Sequence, residues 1–143
     1  MNKYIINFMV MVCVGIMFNP MNVLAYRFND LYLSLTLFYG GLLMASNMIW
    51  SHEIIHYIIH NKFNFGTFLI GICMSISITF LLLRNQFLVD DREWLKRMIS
   101  HHSTAITTSK NIRDNTNDDR IIKLSNDIVK TQEYEISLMK SYL

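Results

Sequence analysis

Charge is what the first part of this chain has least of. Among residues 1–89 only Lys3, Arg27, Asp30, Glu53, Lys62 and Arg84 are charged, whereas residues 90–143 carry nine basic and nine acidic side chains. A domain boundary therefore belongs near Asp90, with a membrane region over 1–87 and a water-exposed domain over 88–143. Cysteine is nearly as scarce. Cys13 and Cys73 both sit inside apolar stretches, which excludes a disulfide framework or a C-x-x-C redox pair and leaves them as small apolar filler. The chain has no polybasic patch and no acidic run, so neither a nucleic-acid partner nor a solvated acidic tail is expected.

What is present is apolar length. Tyr4 to Phe18 is an uncharged run interrupted by Asn19-Pro20. It predicts a first span near 4–25, with a cleaved secretory signal ending at Val23-Leu24-Ala25 as the alternative. Leu31 to Trp50 has no charge over 20 residues; at ~1.5 Å per residue that matches a hydrocarbon layer of ~30 Å. Gly40-Gly41 and Ala45 allow close helix approach in this second span, and the helix is expected to continue to about His60. After a turn over Asn61–Asn64, Phe65 to Leu83 gives a third span, closed by a snorkelling Arg84.

The second helix carries a ladder: Met44, Met48, His52, His56 and His60, each four residues from the next. Neighbours at i, i+4 share a face, but the stripe drifts by ~40° per step, so the five cannot meet one ion. Interfacial histidines beside lipid-facing methionines are one explanation. A soft-metal ladder is the other, since imidazole and thioether both suit copper; methionine is plentiful, at ten residues.

Residues 88–143 predict two amphipathic helices, near 90–113 and 117–142. Asp90, Asp91 and Glu93 favour the first start. Asp114-Asn115-Thr116-Asn117 is the turn, with Asn117 or Thr116 able to cap the second helix. Leu95, Met98, His102, Ala105, Ser109 and Ile112 form one expected seam; Ile121, Ser125, Ile128, Gln132, Glu135, Met139 and Tyr142 form the other. The pair is an antiparallel αα-hairpin. Counting back from the turn puts His102 level with Gln132, with His101 and Glu135 nearby. One explanation is a buried polar set in which Gln132 and Glu135 satisfy the histidines and fix register. The other is a metal site of His101, His102, Glu135 and Met98 or Met139, supported by Gln132. The hairpin has no Glu-x-x-His pair, and Glu53 with His56 stands alone on the second helix, so a di-metal enzyme is the weakest option.

The strings WLKRMISHHSTAITTSKNI and DDRIIKLSNDIVKTQEYEISLMKSYL resemble the domain-of-unknown-function 305 family. Its pattern is roughly M-I-P-H-H-x-x-A-I, a D-x-R-x-L-A stretch, then Q-x-x-E-I-x-x-M. Met98, Ile99, His101, His102, Ala105 and Ile106 match the first part; Asp118 or Asp119, Arg120 and Leu124 the second; Gln132, Glu135, Ile136 and Met139 the third. Spans followed by Val89 to Asp91 are similar to the family's membrane-bound branch. The resemblance implies a ferritin-like helical bundle and, for some members, copper binding and tolerance through His and Met, with no known enzymatic activity. Ser100 departs from the family's usual proline, and the chain shows one half where many soluble members carry two.

The expected fold is therefore all-α: transmembrane helices followed by a hairpin that pairs with a second copy as a four-helix bundle, because about 50 residues make a marginal core alone. The expected function is a membrane-anchored metal-binding protein, with a copper ion as the possible cofactor and membrane lipid and a second copy as partners. The competing expectation is a structural or interaction module. Span counting puts the hairpin on the non-cytoplasmic face of a cell inner or plasma membrane; Arg84, Arg92, Lys96 and Arg97 pull mildly the other way.

Overall fold

The computed structural model describes residues 3–143; its regular elements are all helical, with no strand among the described residues. The helices are α1 (Lys3–Met17), α2 (Pro20–Val23), α3 (Leu35–His60), α4 (Phe65–Ser77), α5 (Asp91–Asn115) and α6 (Asp119–Ser141). A 3-10 turn spans Phe28–Asp30, and a π-helical segment, Ile78–Arg84, continues α4. The chain forms two compact units. One comprises residues 1–18 and 35–88, the other residues 19–34 and 89–143.

In the first unit α3 packs against both α1 and α4, and small residues set the spacing. A Cβ on Gly41 would lie 3.0 Å from the Val12 carbonyl oxygen, and one on Gly71 2.8 Å from the Trp50 amide nitrogen. Backbones this close leave no room for a side chain. The close approach expected of Gly41 and Ala45 is present, and Ala45 is buried. Ser46 and Ser75 hydroxyls meet at 2.9 Å between α3 and α4. Many apolar side chains stay exposed on this unit, including Ile5, Met9, Leu69, Ile70, Phe80 and Leu81.

By length and composition, two stretches can cross a membrane, Ile5–Val23 and Phe65–Arg84. The second of these agrees with the expected third span to within a residue. The first lies within the expected span near 4–25, but its helix is interrupted: α1 stops at Met17, and Asn19 caps α2 by accepting from the Met21 amide. The break follows from Pro20, whose fixed φ suits the first helical position and whose predecessor avoids helical geometry. Helix α3 begins at Leu35, later than the expected Leu31, and runs to His60 as expected. It falls outside the membrane-crossing set; Ser46, Asn47, Ser51, His52 and Glu53 dilute its hydropathy.

In the second unit, α5 and α6 form the expected antiparallel hairpin. Asp90 caps α5 through the Glu93 amide at 2.8 Å. The second cap is Asp118, accepting from the Arg120 amide at 2.9 Å, in place of Asn117 or Thr116. Thr116 instead accepts from the Asp118 amide. The apolar core is Leu95, Ile99, Ile106, Val129, Ile136 and Met139, with Tyr32 and Met98 against it.

That core corrects the expected seam. Ile99 and Ile106 are buried where Met98, His102 and Ala105 were expected, while Ile112, Ile121 and Tyr142 are exposed. Leu95, Ser109, Ser125 and Met139 are buried as expected, while between them the core-facing positions shift by one residue, ~100° around the helix, to Ile99, Ile106, Val129 and Ile136. The cause is a third component, the segment 19–34, which packs along α5 and was expected to be span and loop. Ser100 Oγ donates to the Asp30 carbonyl at 2.8 Å and accepts from the Tyr32 amide at 3.3 Å. Ser103 Oγ accepts from the Tyr26 amide at 2.8 Å and donates to Asp30 Oδ2 at 2.7 Å. Thr104 donates to the Met21 carbonyl, and Lys110 Nζ stands 3.9 Å from the Tyr26 ring centre. α5 is thus covered on two sides, and its stripe turns to serve both.

Candidate metal centre

His101 and His102 lie in the second turn beyond Leu95, on a helix without Gly or Pro. His101 is exposed and His102 half-buried; their ring centres are 5.9 Å apart at 60°. His102 Nδ1 is 3.1 Å from Glu135 Oε2 across the hairpin. Gln132 Nε2 donates to the same carboxylate oxygen at 3.2 Å. The three polar seam residues therefore do meet, with Glu135 rather than Gln132 directly opposite His102.

The His102–Glu135 distance is that of a hydrogen bond, but the direction is not. Among the described residues, His102 Nδ1 and Thr107 Oγ1 are the buried side-chain polar atoms without an aligned partner. A donor well off the line contributes little even at this distance. An unsatisfied buried nitrogen costs ~1–3 kcal/mol, so this atom is available to a ligand. Burial holds the His102 pKa below its ordinary value of 6.5, against the opposing pull of Glu135 and with a smaller push from His101. A neutral imidazole beside a carboxylate is the protonation state that binds metal.

The remaining expected ligands are placed differently. Met139 is buried within the apolar core and Met98 packs against it, so both thioethers are engaged with hydrocarbon. No group of three or more His, Cys, Asp or Glu side chains gathers around one point among the described residues. One chain thus brings His102 and Glu135 together, with His101 beside them.

Sequence reasoning missed the residues that tie segment 19–34 to α5. Asp30 is 1% exposed and bonded to Lys140 Nζ at 2.6 Å. The available signal was Asp30 itself: the sole acidic side chain before Glu53, and an isolated carboxylate in apolar sequence needs a partner. Ser100, which departs from the family's proline, is one of the two serine hydroxyls that hold the segment.

Residues 83–143 match the model of the domain of unknown function DUF305. A relative, "Uncharacterized protein L153" of Acanthamoeba polyphaga mimivirus, is 38% identical over 128 residues, covering 87% of this chain and 81% of that protein. The chain belongs to this family. No solved structure matches it.

Proposed function

We propose that the protein is a membrane-anchored metal-binding protein, that its ion is copper, and that each hairpin supplies half of the site. The observation that carries this reading is His102 Nδ1: buried, unaligned with any partner, depressed in pKa, and 3.1 Å from a carboxylate. His102 and Glu135 hold the ion, and a second copy completes the set. Bundle metal sites use inward His and Glu from facing helices in this way. Bound copper supplies a strongly imidazole-seeking cation, while Gln132 holds the Glu135 carboxylate by its hydrogen bond.

Two features support pairing. The hairpin core is small for an independent domain, and Ile121, Leu124 and Leu138 remain 37%, 55% and 37% exposed on α6. Membrane anchoring rests on the apolar stretches Ile5–Val23 and Phe65–Arg84; a non-cytoplasmic hairpin further requires α3 to cross as well. A ferritin-like bundle, as in the membrane-bound branch of the family, is the assembly this reading requires.

The test is copper titration of the full chain in nanodiscs, with mass measured by light scattering. One copper shared by two chains is expected at the hairpin, lost in His102→Ala and in Glu135→Ala. If copper binding and mass are the same in those variants, the His102–Glu135–Gln132 set is a buried polar register device and the reading fails.

A further inference from the structure

The far end of α3 carries chemistry that the hairpin does not use. His52, His56 and His60 follow one another at one-turn intervals. The His56 and His60 ring centres are 4.9 Å apart with planes at 53°. His52 and His56 are 6.2 Å apart and nearly parallel, at 21°. Imidazoles that each place a nitrogen ~2.0–2.1 Å from one ion have ring centres about 4.5–6 Å apart, with in-plane lone pairs converging on it. The His56–His60 separation falls within that range, and the His52–His56 separation lies just beyond it.

A second observation concerns the tautomer. His56 Nδ1 lies 2.9 Å from the Lys62 carbonyl oxygen. A carbonyl only accepts, so Nδ1 carries the proton and the lone pair of the neutral ring is on Nε2. A histidine whose other nitrogen donates to a backbone carbonyl is the arrangement that orients metal ligands. The turn supplying that carbonyl is itself fixed. Asn61 takes the left-handed conformation at φ 52, Glu53 Oε2 accepts from the Asn64 amide at 3.2 Å, and Asn64 caps α4 through the Thr67 amide at 3.1 Å. The His56 ring is therefore held by structure on both sides of the turn.

Location also suits an ion. His60 is exposed and His56 half-buried, so the pair is open to an ion from solution.

We propose that His56 and His60 form a second metal site, which takes a divalent cation through Nε2 of His56 and a ring nitrogen of His60. Cu²⁺ binds most tightly there and Zn²⁺ less so, following the general affinity order for imidazole sites. With no third His, Cys, Asp or Glu gathered among the described residues, water fills the other positions and the ion exchanges readily. The site shares no residue with the hairpin.

The experiment uses the full chain in nanodiscs with His101→Ala, His102→Ala and Glu135→Ala together, so that the hairpin seat is absent. Copper(II) sulfate is the probe and electron paramagnetic resonance the readout. The expected spectrum shows two imidazole nitrogens. His60→Ala should leave one and weaken binding at least about tenfold, since even outer-shell losses cost roughly 10–100-fold. His52→Ala should change neither spectrum nor affinity. His56→Ala also loosens the turn, so His60→Ala is the deciding variant. No Cu²⁺ bound, binding indifferent to His60→Ala, or an equal loss in His52→Ala overturns the proposal. Failure of the hairpin site reads separately, as identical copper binding by the wild type and the triple variant.

Discussion

Removing the Lys140 ammonium should harm the hairpin more than neutralising its partner Asp30. Asp30 is 1% exposed, and its carboxylate has two side-chain partners, Lys140 Nζ at 2.6 Å and Ser103 Oγ at 2.7 Å. Lys140→Met leaves a buried carboxylate with one hydroxyl, a case that costs about 3–5 kcal/mol. The Lys140 side chain is 30% exposed, so water reaching the vacated space pulls the expectation toward the lower bound. Asp30→Asn keeps an oxygen for Ser103 and loses only charge assistance, about 1–2 kcal/mol. In the double variant Lys140→Met adds little to Asp30→Asn, because no carboxylate remains to strand. Thermal melting of the full chain in detergent measures the order; one kcal/mol corresponds to about 4–8 °C for a domain of this size. Hydrogen exchange at the Tyr26 and Tyr32 amides, which donate to Ser103 and Ser100, localises the effect. Equal losses in the two single variants, or unchanged exchange at both amides in Lys140→Met, would refute the account of segment 19–34 as a part docked by this network.

Three further outcomes are expected. His102 has its pKa lowered by burial, so the unfolded chain binds more protons than the folded one near that pKa. The hairpin therefore loses stability as pH falls from above 6.5 through the depressed folded value, and His102→Gln should flatten a melting profile taken across that window. Gly71→Ala should loosen α3 against α4 by about 1–3 kcal/mol, since the new Cβ meets backbone 2.8 Å away and overpacking costs that much. Gly15→Ala, whose nearest contact is the movable Met44 sulfur at 3.1 Å, should cost less in the same detergent melts. Ser100→Pro, restoring the family's usual residue, should free the Tyr32 amide for exchange, because Ser100 Oγ is its acceptor and proline also removes a helical hydrogen bond.

Helix ends and the hairpin were legible because local chemistry decides them. Asp90 before Glu93 is a cap on sight, and the polar run over 114–117 could only be a turn; α5 and α6 begin and end within two residues of expectation. The core stripe was less legible. A seam of Met98, His102 and Ala105 fits a helix with one buried side, and the actual helix has two. Nothing in residues 91–115 announces that segment 19–34 packs there, because its docking uses serine hydroxyls and one remote carboxylate, not an apolar repeat. Local pattern can describe a face but not count how many neighbours it serves.

The same limit shapes the site. A strict seam would have buried His102 and Glu135 fully and left both satisfied by each other. The displaced stripe puts them at its margin instead: His102 at 14% side-chain exposure, Glu135 at 40%. At that depth the imidazole is desolvated enough to stay neutral, yet the carboxylate remains reachable from outside. A residue serving only register is best placed deep and aligned with its partner; an ion-binding pair needs an approach. His102 is neither fully buried nor aligned. The docking of segment 19–34, which turned α5, is thus also what placed this pair at the edge. By this argument Asp30→Asn, though remote from His102 in sequence, should shift copper affinity as well as stability, whereas a pure register role would move stability alone.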